Sequence, residues 1–359
     1  MTIEVYLIVL PLAKIVKMSV SLRIPRAKRR NINDKLMTAV GGNLQVETIM
    51  KVIFLGTPEF GVNVLKEIAG STHKVVGVVC QPDRPSGRGN KLVAPPVKVL
   101  AESLNLPVFQ FEKIRRDGVE VLKSLNADIM VTSAYGQILS QEIIDICPHG
   151  IINVHGSLLP KYRGASPIQQ AIIDGEAYSG VTIMQTEAGI DTGDMILSKE
   201  CKIEDDDTYG SLSEKLSLLG AKLCVKALDL IEHGKAEFTS QNEEQATHTK
   251  MFKKEDCFID FNKSAKDIVN LVRGLNPNPI ALFSLSGETY KVFLAKAVDY
   301  DGNEQCGEIL KANSKQGLVI KCKGGAVEVV EFTAPNSKRM LAKSYLNGKT
   351  LPVGGVCNA

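Results

Sequence analysis

No stretch of this 359-residue chain approaches the roughly 18 uncharged apolar residues that a membrane-spanning helix needs, so a membrane bundle is excluded. There is no Cys-x-x-Cys pair. The eight cysteines are dispersed, no two closer than sixteen residues. That spacing argues against a zinc ribbon and a thioredoxin-type redox pair. Dispersed thiols in a long chain fit a reducing, cytoplasmic setting. Internal repeats and low-complexity tracts are absent, and tryptophan is missing altogether. What remains is ordinary globular material, 44% hydrophobic and 23% charged, which excludes wholesale disorder and collagen-like structure. The length suits two or three domains.

The formal net charge of +3 conceals an asymmetry. Residues 1–49 carry +5, residues 50–252 carry −6 and residues 253–359 carry +4. A basic block at the C-terminal end is compatible with a nucleic-acid partner.

Residues 1–49 read as an extension outside the fold, disordered or not native, with Met50 as the natural first residue. Their basic cluster (Arg26, Lys28, Arg29 and Arg30) follows the apolar run Val5–Leu12, the reverse of a signal peptide's order. From Met50 the pattern becomes regular. Lys51–Gly56, Lys74–Cys80, Asp128–Thr132, Gly150–Val154 and Gly180–Thr186 are short apolar runs that read as strands. Pro58–Ala69, residues 96–104, Ile168–Ile173 and Asp205–His233 have helical spacing. Strands alternating with helices predict a parallel sheet covered on both faces over residues 50–233. Residues 234–255 are polar and read as a linker. Ser264–Leu275 is helical, and short strand-like runs punctuated by Gly and Asn follow it. They predict a small antiparallel barrel over residues 256–353.

In a sheet of this kind the ligand lies at the carboxyl ends of the strands. The first such turn, Gly56–Phe60, lacks the G-x-G-x-x-G pattern, and Glu59 would repel a pyrophosphate. A nicotinamide-dependent dehydrogenase is therefore disfavoured. The second loop, Gln81–Pro96, carries Arg84, Arg88 and Lys91 against Asp83, with Lys98 nearby, and suits a polyanion. The third segment places Asn153 and His155 two residues apart, on one side of an extended chain. An amide donor and an imidazole on one face are what acyl transfer requires, since an oxyanion develops while the attacking group loses a proton. A fourth segment sets Asp191 and Asp194 among glycines after another strand, where either could orient an imidazole.

Together these segments resemble the methionyl-tRNA formyltransferase family. The resemblance rests on Gly56–Phe60, Gln81–Leu92, Ala134–Leu139, Asn153–Ile168, Gly180–Asp194 and Arg273–Pro279, in that order, and covers residues 50–353. It implies a Rossmann-like N-terminal domain and an OB-like C-terminal barrel that binds tRNA. It implies a catalytic trio of Asn153, His155 and Asp191, and a folate-binding segment of Ser157, Leu158, Leu159 and Pro160. Arg88 matches an arginine of a loop that inserts toward the tRNA acceptor end, with Arg84 and Lys91 beside it. The implied partners are initiator methionyl-tRNA and 10-formyltetrahydrofolate as co-substrate, with no metal, in a monomeric cytoplasmic enzyme. Two positions depart from the pattern: Asn278 stands where the family often has Trp, and Ser140 where it commonly has Pro. Two rivals remain, a formyltransferase with a small acceptor and a non-catalytic RNA-binding protein.

Overall fold

The computed structural model describes residues 2–9, 14–21, 35–40, 43–86 and 89–358. Before residue 50, Thr2–Val9 pairs with Lys14–Ser21 and Lys35–Val40 pairs with Asn43–Thr48. Neither hairpin joins a further sheet among the described residues.

The main fold begins with β1 (Lys51–Gly56), α1 (Glu59–Ala69) and β2 (Lys74–Cys80). It continues through α2 (Pro96–Ser103), β3 (Val108–Gln110), β4 (Ile129–Ser133) and β5 (Ile151–His155). Then come α3 (Pro167–Ile173), β6 (Tyr178–Gln185), β7 (Met195–Lys202) and α4 (Tyr209–Glu232). The strand order is β7-β6-β5-β4-β1-β2-β3. β3, β2, β1, β4 and β5 run parallel, and β6 and β7 add antiparallel at one edge. The sheet is thus mixed rather than wholly parallel. β6 and β7 are joined by a short loop, which forces them antiparallel.

Alternation along each strand divides the core in two. On β1, Val52 and Phe54 face a layer built from α1 and α4, whereas Ile53 and Leu55 face Ile114, Leu122 and Ile143 on the other side. Helix α1 buries Phe60, Val64, Leu65 and Ile68, the stripe its spacing predicts. Helix α4 starts where Thr208 and Ser211 exchange a reciprocal cap, and Asp207 just before it is buried against Lys215 at 2.8 Å. Burial works against the Asp207 charge. Hydrogen bonds from Lys215, the Glu204 N–H and Ser211 nevertheless hold its carboxyl below the usual value. Gly220 lets α4 come close to β5, because a Cβ there would stand 2.7 Å from Val154 Cγ1.

The second domain pairs α5 (Ala265–Gly274) with β8 (Ala281–Leu285), β9 (Glu288–Val298), β10 (Ile309–Asn313), β11 (Gly317–Cys322) and β12 (Gly325–Thr333). These strands pair antiparallel with one another, and β8 also pairs antiparallel with Cys357–Asn358. An antiparallel bridge between Glu308 and Val356 joins the two ends into a barrel, so the closing strand runs on past residue 353. Arg273 on α5 ties this domain to the first, donating through Nη1 to the carbonyls of Glu204, Asp205 and Asp207 at 2.9, 3.1 and 3.3 Å. Among the described residues no helix is long and apolar enough to cross a membrane.

Gly220→Val should press a branched side chain onto Val154. A destabilisation of about 1–3 kcal/mol is expected, read as a lower denaturant midpoint for the first domain.

Candidate active site

Asn153 and His155 stand at the carboxyl end of β5, and alternation puts them on one face. Ile152 and Val154, between and beside them, are buried in the layer under α4. Register sets Thr132 of β4 directly opposite Asn153. The Thr132 hydroxyl donates to Asn153 Oδ1 at 2.9 Å. An amide whose oxygen is occupied in this way turns its NH₂ outward.

His155 is nearly buried, and its Nε2 lies 3.0 Å from the carbonyl oxygen of Tyr162. A carbonyl only accepts, so Nε2 carries a proton. Nδ1 faces Asp191, whose Oδ2 is 3.6 Å away. That same oxygen accepts from the Gly164 backbone N–H at 2.8 Å. Once Nδ1 is protonated as well, the imidazolium has an acceptor on each side. The three side chains named from the sequence are therefore brought to one strand end, with Asp191 arriving from the loop between β6 and β7.

Tyr162 is itself anchored. Its hydroxyl donates toward Glu176 and Asp174, at 2.9 and 3.1 Å, and its N–H donates to Thr247 Oγ1 at 2.8 Å. Burial, together with the carboxylates of Glu176 and Asp174, pushes the phenol above its ordinary pKa. Behind Tyr162 lies a cleft of about 450 Å³ lined by Gln170, Glu176, Thr247, Thr249 and Phe252, and none of the trio lines it.

The residues matched to a folate segment serve first as structure. Ser157 is fully buried and donates to Lys161 O at 2.7 Å. Thr182 Oγ1 accepts from the Leu159 N–H at 3.1 Å and donates to Ser157 O at 2.8 Å. Leu159 is buried, Pro160 is half-buried, and Leu158 lies against Gly180. In the basic loop, Arg84–Ser86 and Lys91–Val93 form a short hairpin. Arg84 pairs with Glu112 at 2.8 Å, and Lys98 pairs with Asp83 at 2.9 Å. The Lys98 ammonium holds the Asp83 carboxyl below its usual range. Lys91 is exposed, and Arg88 lies outside the described residues.

Sequence reasoning missed the segment read as a linker. It packs on the site. Arg163 pairs in parallel with His248, and Gly164 with Thr249. Arg163 is 1% exposed, and its guanidinium forks onto Glu243 at 2.9 and 2.7 Å. Hydrogen bonds from that guanidinium hold the Glu243 carboxyl below its usual range. Polar residues without periodicity gave no signal for this packing. The repeated Thr and Gln in Thr239–Thr249 were the available hint.

The architecture is that of formyl transferases. Residues 50–228 match the model of the formyl transferase family, and residues 251–350 match its C-terminal domain. HypX from Aquifex aeolicus, solved with tetrahydrofolic acid, shares the fold at a TM-score of 0.59 and 17% identity, over 83% of this chain and 47% of that one. An N-formyltransferase from Helicobacter canadensis shares it at a TM-score of 0.57 and 21% identity, over 78% of this chain and 98% of that one. Methionyl-tRNA formyltransferase of Agathobacter rectalis is 48% identical over 300 residues, covering 83% of this chain and 96% of the relative. That of Acetivibrio thermocellus is 44% identical over 309 residues, covering 86% and 99%. The chain belongs to the methionyl-tRNA formyltransferase family.

Gly164 has φ +108°, and a Cβ there would fall 2.4 Å from the Thr249 carbonyl oxygen. Gly164→Ala is expected to break the pairing with Thr249. Amide exchange at Thr249 should then accelerate at least tenfold while the sheet core keeps its protection.

Proposed function

We propose that Asn153, His155 and Asp191 carry the transfer of a formyl group from 10-formyltetrahydrofolate to the α-amino group of initiator methionyl-tRNA. One observation carries this assignment: an imidazole and a carboxylate 3.6 Å apart, beside an amide whose oxygen is already engaged.

The α-amino group attacks the formyl carbon. A C–N bond forms, and the carbonyl electrons move onto oxygen. The outward NH₂ of Asn153 donates to that oxyanion. The amine must lose a proton, and Nδ1 of His155 is the ring nitrogen without a committed one. It accepts the proton directly or through one water. Asp191 faces the imidazolium so formed, and the Tyr162 carbonyl holds the opposite N–H. Collapse of the tetrahedral state breaks the bond to the folate nitrogen, which takes up the proton.

The co-substrate needs flat apolar surface beside polar backbone. Ile138 and Ile190 are 83% and 70% exposed on the loops that follow β4 and β6. These exposed aliphatic groups are proposed to offer apolar surface to the pterin ring. The Ser157–Pro160 turn borders the same strand end and is proposed to line the folate site through its backbone. For tRNA, Lys91 of the hairpin and Arg88, nearby in sequence, are the proposed phosphate contacts, with Arg84 available once Glu112 is released. One chain supplies all three side chains, so the proposed working unit is a monomer. Its place is the cytoplasm, where initiator tRNA is charged.

Asn153→Ala is expected to lower kcat by about 10²–10³ with the fold intact. Parental turnover in a formylation assay would remove Asn153 from the trio. Lys91→Ala should weaken tRNA binding and reduce the salt slope of log Kd by about one, leaving folate binding unchanged. Filter binding across a salt series, beside a folate titration, measures both.

A further inference from the structure

Among the described residues Arg163 is the bulkiest fully buried side chain, yet the chemistry above does not use it. Its Nη atoms hold Glu243, and its Nε donates to Gln241 Oε1 at 3.0 Å. With its oxygen occupied, the Gln241 amide can only point its NH₂ away from Arg163. That nitrogen, Nε2, donates at 2.8 Å to the carbonyl oxygen of Asp191 and at 2.8 Å to that of Gly193.

Asp191 needs such support. Its φ is +53°, in the left-handed region. That region is sparsely populated by residues with a Cβ, and such a conformation persists where the surroundings over-determine it. Gly193, two residues on, packs so closely on β6 that a Cβ there would meet the Gln185 carbonyl oxygen at 2.0 Å. The carboxylate of Asp191 is held by the Gly164 N–H and its carbonyl by Gln241. Gly164 adjoins Arg163, and Arg163 holds Gln241. The hydrogen bonds thus close a ring around the aspartate through three segments distant in sequence.

We infer that Gln241 is a positioning residue for Asp191. Buried Arg163 orients the Gln241 amide, which fixes the backbone of Asp191 and so sets the 3.6 Å gap to His155. The inference rests on the proposed role of Asp191. It makes the segment between the two domains part of the active site.

Gln241→Glu is the sharpest test. It keeps the size and the acceptor toward Arg163, but sets an oxygen against two carbonyls. The expected result is a kcat lowered by about 10- to 100-fold. KM for both substrates should stay within about twofold, and the pH profile of kcat should be displaced. A purely structural role would move thermal stability and leave the profile of the folded enzyme in place. Parental kcat and pH profile in folded Gln241→Glu would overturn the inference. Should that variant fail to fold, Glu243→Gln decides. Glu243 is 71% exposed, so its replacement is tolerated, and the weakened grip on Arg163 should give a smaller loss of the same kind. Parental kinetics there would equally overturn it. Asp191→Asn, assayed in parallel, separates the two readings. If it is impaired while the Gln241 and Glu243 variants are parental, the positioning fails and the role of Asp191 stands. If Asp191→Asn is itself parental, the proposed role of Asp191 fails.

Discussion

The register of a single strand governs the site. Along β5, Ile152 and Val154 enter the apolar layer beneath α4, and this leaves Asn153 and His155 no choice of face. A slip of one residue would bury an amide and an imidazole in that layer and expose two aliphatic groups. The penalty for burying unpaired polar groups there is several times thermal energy. Gly220 strengthens the constraint by letting α4 close directly onto Val154. The hydrophobic packing of one face thus aims the polar groups of the other, and Thr132 finds Asn153 because β4 and β5 are held in that register.

Asp191 belongs to a different kind of construction. It does not sit on a strand, so the core cannot place it. Its loop is fixed by hydrogen bonds to backbone atoms, from Gly164 on one side and Gln241 on the other. Such bonds act at short range and need a rigid donor. A buried arginine supplies rigidity that an exposed ion pair cannot, because its fork leaves few rotamers open. Glu243 lies toward solvent, yet its two oxygens hold both Nη atoms and so keep the fork in place.

This division explains what was legible in the sequence. The apolar runs at Lys51–Gly56 and Lys74–Cys80 and the stripe of α1 announced themselves, because burial on one or both faces imposes a period. β7 did not. It is an edge strand whose residues are half-buried or exposed, so no period marks Met195–Lys202. Asn153 and His155 showed as a spaced pair at a strand end. Thr132, Arg163 and Gln241 did not, since their meaning lies in partners 21, 80 and 50 residues away. The polar segment 234–255 looked like a spacer because it buries few large apolar groups. Its part is to supply hydrogen bonds, which leave no hydropathy signature.

The basic loop holds fewer free cations in the fold than its composition offers. Counted by residue type, Gln81–Lys98 offers a dense set of cations. In the fold, Lys98 is committed to Asp83 and Gln110, and Arg84 to Glu112. The first is a structural brace between the loop and the sheet edge, and the second is an exposed pair that a phosphate can displace at little cost. Hence the hairpin's attraction for a polyanion is weaker at rest than composition suggests, and rises when a phosphate competes for Arg84. On the proposed function, long-range attraction would then fall more to the block of residues 253–359, whose net charge of +4 includes the closed barrel. Arg273 pins that barrel to the carbonyls just before α4, and α4 in turn packs on the strand bearing Asn153 and His155. On the proposed function, a nucleic acid held by the barrel would stand at a fixed offset from Asn153 and His155, which is what delivery of one aminoacyl end to one carbonyl demands.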